Sequence, residues 1–172
     1  MTTLDPGIDP ANFQAVNDRL AVADTLYRYA STIDRGDFAG TRSVLADDLW
    51  AQYGNAEPIS GGQAVADWIA EFCATCVWQH HLLSVYHVDV DGDRAKALVY
   101  HTSHQGFEDD PGTVHVLVGR YHNELTRSQD GWKISKLVFE ILWGERRQDT
   151  TDYLAAVGGR GPVVAGYPGA PR

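Results

Sequence analysis

The chain has 172 residues, of which 44% are hydrophobic and 22% charged, and this composition is typical of a soluble globular protein with one core. Its formal net charge of −9 argues against a surface for nucleic acid or an anionic membrane, because no basic stripe offsets it. The opening residues, MTTLDPGIDP, lack the basic start and apolar core of a signal peptide. No apolar run approaches the roughly 20 residues of a membrane span, so a cytoplasmic protein is the expectation.

The first third of the chain has the periodicity of helices. Asp9-Pro10 is typical of a helix start, and apolar residues then recur at steps of three and four. This pattern predicts one long amphipathic helix, or two with a joint, that ends near Asp34. Asp37 can cap a second helix that continues to about Ala46.

A short apolar strand at residues 49–53 and a third helix come next. Ser60 is followed three residues later by Gln63, the spacing of a capping box, which predicts a helix start there. The apolar positions of this helix include Val65, Trp68 and Phe72.

After Cys76 the pattern changes to period two and predicts four long strands, at residues 80–90, 94–107, 113–126 and 132–143. Asp91-Gly92-Asp93 joins the first two as a hairpin, and Asp130-Gly131 joins the last two. Helices followed by antiparallel strands indicate an α+β fold in which about three N-terminal helices pack on one face of a bent sheet.

The domain organisation predicted is a single domain over residues 1–146 with a tail at 147–172 that is rich in Gly and Pro. Such a tail offers little apolar area to offset its ordering entropy, so it is expected to be weakly held or to cross a neighbour. A sheet with helices on one side only leaves its other face to be covered, which predicts a homodimer or homotrimer. Trp132 and Val116 are the candidates for that interface.

The only two cysteines, Cys73 and Cys76, form a C-x-x-C sequence. A zinc site would need two further ligands at suitable spacing, and a redox pair would lie at a helix start rather than at a helix end. We interpret the pair as ordinary small residues of the core or of its boundary.

Five residues on separate elements could carry chemistry, namely Tyr29, Asp34, Tyr53, His81 and His104. Asp34 closes an apolar helix, where a negative charge opposes the helix dipole, and therefore needs a partner, for which His81 is a candidate. Side chains alternate along a strand, so only one of each histidine pair, 80/81 and 101/104, can face a pocket. His104 is the expected inward member of its pair, whereas the sequence alone does not decide between His80 and His81, of which His81 is the candidate partner of Asp34. Such a set holds the parts for proton transfer at a carbon next to a carbonyl.

Four stretches, LYRYASTIDRGDF, HHLLSVYHVDVDGDRAKALVYHTSH, GRYHNEL and GWKISKLVFEILW, resemble the SnoaL-like domain of the nuclear transport factor 2-like superfamily. The resemblance covers about residues 12–146. It implies a cone-shaped α+β barrel built from a strongly bent, mixed or antiparallel sheet. Its chemical parallels are scytalone dehydratase, bile acid 7α-dehydratase and a lindane dehydrochlorinase, which carry out eliminations without a metal or organic cofactor.

The same resemblance implies a role for each candidate residue. The His–Asp pair of these enzymes corresponds to His81 and Asp34, their tyrosines to Tyr29 and Tyr53, and a second histidine or aspartate to a position near His104. One position departs from the family pattern, since Leu137 stands where many relatives carry an arginine. An apolar substrate, such as a steroid-like or polyketide-like ring, fits this change better than an anionic one.

The leading hypothesis is therefore a cofactor-independent lyase, a dehydratase in type, that acts on a small hydrophobic ring-containing molecule with His81 as general base. An isomerase or a polyketide cyclase could use the same base. A third alternative is a relative without catalysis that binds a ligand or supports oligomers; it predicts a filled cavity and no hydrogen bond between Asp34 and His81. A metal site formed by His81, His104 and Asp34 is the least favoured alternative.

Overall fold

The computed structural model describes residues 10–148 of the chain, and it has the predicted α+β fold. Three helices and six strands follow one another within these residues. They are α1 (Pro10–Asp34), α2 (Phe38–Ser43), β1 (Leu45–Tyr53), β2 (Ile59–Ser60), α3 (Gly62–Phe72), β3 (Cys76–Asp91), β4 (Arg94–Phe107), β5 (Thr113–Ser128) and β6 (Gly131–Gln148). A single 3-10 turn, Cys73–Thr75, connects α3 to β3.

The six strands form one mixed sheet in the order β2-β1-β6-β5-β4-β3. Only the β1–β6 pair is parallel, and every other neighbouring pair is antiparallel. The sheet is bent around the helices but is not closed, so the predicted cone-shaped barrel is an open one. The hairpin between β3 and β4 turns at Gly92, whose φ of 58° is a conformation that favours glycine.

The core lies between this sheet and the helices. Helix α1 contacts β3 and β6, and α3 contacts β1, so the sheet face toward the helices is covered. The largest fully buried side chains come from both layers and include Val22, Leu49, Val65, Val99 and Ile134. At one end of the same layer this packing leaves room for a cavity.

Local capping explains one correct and one wrong prediction. Asp37 does cap α2, because its Oδ1 accepts a hydrogen bond of 2.8 Å from the backbone N–H of Gly40. The capping box at Ser60 and Gln63 is not formed. Ser60 belongs to β2, and α3 starts after Gly61, which has a φ of 99° and provides no side-chain cap. Pairing of β2 with β1 therefore prevailed over the local helix signal.

Strand β4 has the predicted bounds, whereas β1, β3, β5 and β6 are longer than the periodicity predicted. Strand β3 begins at Cys76 rather than at residue 80, and β1 begins at Leu45 within the stretch predicted as helix. Strand β6 continues to Gln148, two residues into the predicted tail. The remainder of the tail and the helix start at Asp9 lie outside the described residues.

The outer face of the sheet, away from the helices, carries exposed apolar side chains. Leu82, Tyr86, Tyr100, Leu142 and Trp143 are 40–63% exposed. The prediction that Trp132 and Val116 cover this face is wrong, since both are about 95% buried and Trp132 belongs to the core beneath α1. No helix of the described residues 10–148 is long and apolar enough to cross a membrane.

Candidate active site

The end of α1 and the start of β3 bring Asp34 and His81 into direct contact. The Asp34 Oδ1 atom lies 2.5 Å from Nδ1 of His81, and Asp34 Oδ2 accepts a hydrogen bond of 2.9 Å from the backbone N–H of the same residue. The His81 side chain is only 10% exposed, and that of Asp34 is 22% exposed. Two bonds to one carboxylate therefore hold the imidazole in a single orientation.

This contact decides which ring nitrogen of His81 keeps a free lone pair. An ionised carboxylate can only accept, so Nδ1 carries the hydrogen and Nε2 keeps its lone pair. The last turn of α1 holds no basic residue that would stabilise the Asp34 charge against the helix dipole. The partner of Asp34 is thus the histidine itself, as the sequence predicted.

Tyr29 and Tyr53 form the second polar group of the site. Their hydroxyl oxygens are 2.7 Å apart, and the Tyr29 ring also packs edge-on against Tyr121 at 6.1 Å between centroids. Burial raises the pKa of all three phenols, so they stay protonated at neutral pH. Within the Tyr29–Tyr53 pair one O–H is donated to the other oxygen, which leaves the second O–H free for a ligand.

These groups face a cavity of about 230 Å³ between the helices and the sheet. One wall is aromatic and apolar: Tyr53 stacks on Trp68 at 4.6 Å, and Trp68 stacks on Phe72 at 5.9 Å. The opposite wall is polar and comes from β3 and β4. Its members are Gln79, His81, His101, Ser103 and Gln105. A flat molecule with oxygens along one edge would match both walls.

His104 does not belong to this site, and the expectation that it lines the pocket was wrong. It pairs in register with His80, and the two rings lie 6.2 Å apart on the outer face of the sheet. His81 is opposite Ser103 on the inner face, so the inward positions of β4 are 101, 103 and 105. The parity rule correctly separated His101 from His104, but the inward member is His101.

His101 is the site residue that sequence reasoning missed. His101 is 3% exposed, and neither of its ring nitrogens has a hydrogen-bond partner among residues 10–148. Burial, with a smaller contribution from His81 at 5.2 Å between ring centroids, lowers the pKa of His101 to about 3. A neutral imidazole at the cavity wall can donate one hydrogen bond and accept another. The available signal was its two-residue spacing from Val99 and Ser103, which share its face.

A chain of hydrogen bonds supports the end of α1 next to Asp34. The Gln79 Nε2 group donates to the Ile33 carbonyl at 2.7 Å, and Gln79 Oε1 lies 3.5 Å from Sγ of Cys73. Burial raises the pKa of the Cys73 thiol, and it raises that of Cys76 to about 12. Protonated thiols fit the interpretation of this pair as boundary residues, with Cys73 forming part of the cavity wall.

The departure at Leu137 is explained by burial, because this side chain is fully buried in the core. Its neighbour Lys136 faces the other way, as strand parity predicts, with Nζ 3.6 Å from Glu124 and 5.8 Å from the centre of the Trp50 ring. The cavity therefore receives no cation from this position. Across residues 10–148, moreover, no group of three or more His, Cys, Asp or Glu side chains is arranged to hold a metal ion.

Comparison with known proteins places this architecture in a family. The model of the SnoaL-like domain matches residues 14–138. An uncharacterized protein of Mycobacterium tuberculosis is 27% identical over 124 residues, which are 72% of this chain and 84% of that protein. A counterpart from Mycobacterium bovis matches equally well.

Solved structures share the fold at low sequence identity. A candidate scytalone dehydratase from Novosphingobium aromaticivorans superposes with a TM-score of 0.71 at 14% identity, covering 78% of this chain and 90% of that one. A hexachlorocyclohexane dehydrochlorinase from Novosphingobium barchaimii has a TM-score of 0.71 at 14% identity, covering 79% and 94%. A Kribbella flavida protein reaches 0.70 at 23% identity, covering 76% and 95%.

Proposed function

Because the chain belongs to the SnoaL-like domain family, we propose that it is a cofactor-independent lyase, a dehydratase in type, that acts on a small hydrophobic ring-containing molecule. The observation that carries this proposal is the contact of 2.5 Å between Asp34 and His81 at the wall of an apolar cavity. A histidine held in one tautomer by a half-buried carboxylate is the arrangement of a general base. Dehydratase and dehydrochlorinase folds among the similar structures support the same class of reaction.

In the proposed reaction, Nε2 of His81 removes a proton from the carbon next to a carbonyl. The electrons of that C–H bond form the carbon–carbon double bond, and the bond to a neighbouring hydroxyl breaks. The proton taken by His81 then leaves with the hydroxyl as water, so the enzyme returns to its starting state. Asp34 stabilises the imidazolium in between.

The carbonyl oxygen gains negative charge as the proton leaves, and the free O–H of the Tyr29–Tyr53 pair is the donor that would stabilise it. Phenols with a raised pKa keep their hydrogens and serve as donors without being ionised. His101, neutral and without a partner, would bind a second oxygen of the substrate. Aromatic rings on the opposite wall would hold the ring of the substrate in place.

The experiment is a panel of hydroxylated cyclic ketones, steroid-like and polyketide-like, with loss of water measured by mass spectrometry. His81→Gln and Asp34→Asn should each reduce turnover by about 10²–10⁴-fold while the protein stays folded. The double variant should lose much less than the product of the two, because residues that act as a unit are not additive. Wild-type turnover in both single variants would contradict the proposal.

An isomerase or cyclase with the same base is the second candidate, and a product of unchanged mass would favour it. The alternative without catalysis is less well supported. It required a filled cavity and no bond between Asp34 and His81, whereas the structure has both a cavity of about 230 Å³ and the bond.

We also propose that the protein is a homodimer or homotrimer that uses the outer face of the sheet. The exposed rings and chains of Leu82, Tyr86, Tyr100, Leu142 and Trp143 support this, since soluble monomers rarely expose so much apolar surface together. Light scattering that gives a mass near the 18.9 kDa of one chain would contradict it. A cytoplasmic location stays a prediction.

A further inference from the structure

The inner cavity is smaller than the open space that adjoins it. Its volume of about 230 Å³ is not far above the roughly 150 Å³ of a protein cavity that accepts benzene, so it admits between one and two rings. A second, open chamber of about 860 Å³ lies toward the ends of β4, β5 and β6. Phe72, Gln105 and Leu117 line both spaces, so the two adjoin across these side chains.

A ladder of rings runs from the first space into the second. It starts with the stacked rings of Tyr53, Trp68 and Phe72. Phe107 then meets Phe72 edge-on at 6.0 Å between centroids, and His115 meets Phe107 at 5.0 Å. The ladder therefore connects the hydroxyl pair of the inner cavity to the wall of the outer chamber.

The outermost ring of the ladder is held in place by a charged group. Nε2 of His115 lies 2.8 Å from Oδ2 of Asp110, and the hydrogen bond from His115 lowers the pKa of that carboxyl. Asp109 and Glu145 add two carboxylates to the rim, where Glu145 is paired with Arg147 and Arg146 is a second cation. A chamber with this lining favours a neutral ligand over one that carries phosphate or sulfate.

We propose that the outer chamber is a subsite for the remainder of an elongated substrate, a neutral planar molecule of three or more fused rings whose terminal ring enters the inner cavity. Phe107 is the residue that binds the distal rings, and Phe72 lines the passage between the two spaces. The assignment to a substrate rests on the proposed function, but the binding itself does not depend on turnover.

The test is equilibrium binding of two neutral fluorescent probes, 2-naphthol with two fused rings and 2-hydroxyanthracene with three, to the full chain. Phe107→Ala should weaken the three-ring probe about tenfold and change the two-ring probe less than about twofold, since one aromatic contact is worth about 0.5–1.5 kcal/mol. Phe107→Leu keeps the apolar volume of the strand end and should show the same selective loss to a smaller degree. Melting temperatures check that both variants are folded.

Two outcomes would contradict the proposal of an outer subsite. One is an equal change, or no change, for both probes in the Phe107 variants. The other is a gain of affinity for the three-ring probe when residues 149–172 are deleted, together with no effect of Phe107→Ala, because the chain itself would then occupy the chamber. His81→Gln separates this test from the proposed function: it should leave the preference for the longer probe intact, whether or not a reaction is found.

Discussion

The inner and outer faces of the sheet carry similar side chains in different surroundings. On the inner face, His81 is bonded to Asp34 and His101 is buried without a partner. On the outer face, His80 and His104 lie beside each other, one exposed and one partly buried. A histidine becomes a base or a ligand-binding group only where a carboxylate or a cavity accompanies it. Surroundings, rather than residue type, therefore separate the two faces.

The largest expected difference between the faces concerns their tyrosines. Tyr53→Phe removes one hydroxyl of the pair that would stabilise the developing charge, so turnover should fall by about 10²–10³-fold. Tyr86→Phe changes an exposed ring on the outer face and should leave turnover unaltered. Steady-state kinetics on the substrate found in the panel measures both. Equal effects of the two variants would contradict the assignment of the inner face as the site.

A charge introduced on the outer face should weaken the association of subunits and leave the fold of each subunit unchanged. Leu82→Glu places a carboxylate in the proposed interface between subunits. Burying it unpaired there should cost about 3 kcal/mol, which raises the dissociation constant about 100-fold. Val16→Glu is the matched control, because Val16 is similarly exposed but lies on α1. Analytical ultracentrifugation that finds the same association in both variants would exclude this face as the interface.

The two unlike histidines of β4 predict a difference in acid stability. The pKa of His101 in the folded state is lowered to about 3, so between about pH 3 and 6.5 the unfolded state binds more protons. Stability is therefore lost as the pH falls below 6.5, by about 2 kcal/mol from this residue at pH 5. In the His101→Gln variant this contribution to the loss of stability should be absent. The His104→Gln variant should keep it. Urea denaturation at pH 5 and pH 7 measures the free energy of unfolding of each variant. An equal loss of stability between pH 7 and pH 5 in the two variants would refute the prediction.

The smallest effect should come from Gln79, which supports the inner site without entering the proposed reaction. Gln79→Leu removes the hydrogen bond to the Ile33 carbonyl, worth about 1 kcal/mol, and should lower turnover roughly fivefold by loosening Asp34. Gln52→Leu on β1, whose amide donates to the nearby Ala56 carbonyl at 3.4 Å, is the control. The ratio of kcat between the two variants is the measurement. A ratio near one would mean that the end of α1 needs no such support.

Much of the fold could be predicted because its signals are local. Helical periodicity up to Asp34 and the turn at Gly92 depend only on neighbours in sequence, and both are confirmed. The strand β2 and the early start of β1 could not be predicted, since pairing between distant segments stabilises them. For the same reason the prediction of a capping box at Ser60 was wrong.

The candidate site likewise has features that the sequence predicted and others that only the tertiary structure decided. The residue types of the site and the pairing of Asp34 with His81 came from the sequence, because an acid at a helix end needs a partner. Parity along β4 also showed that His101 and His104 face opposite ways. Only the register of β4 against β3 decided which of them faces the cavity, since alternation gives two equivalent choices and cross-strand packing selects one. The tertiary structure likewise decided that an outer chamber adjoins the inner cavity, because the walls of both come from elements that lie far apart in the chain.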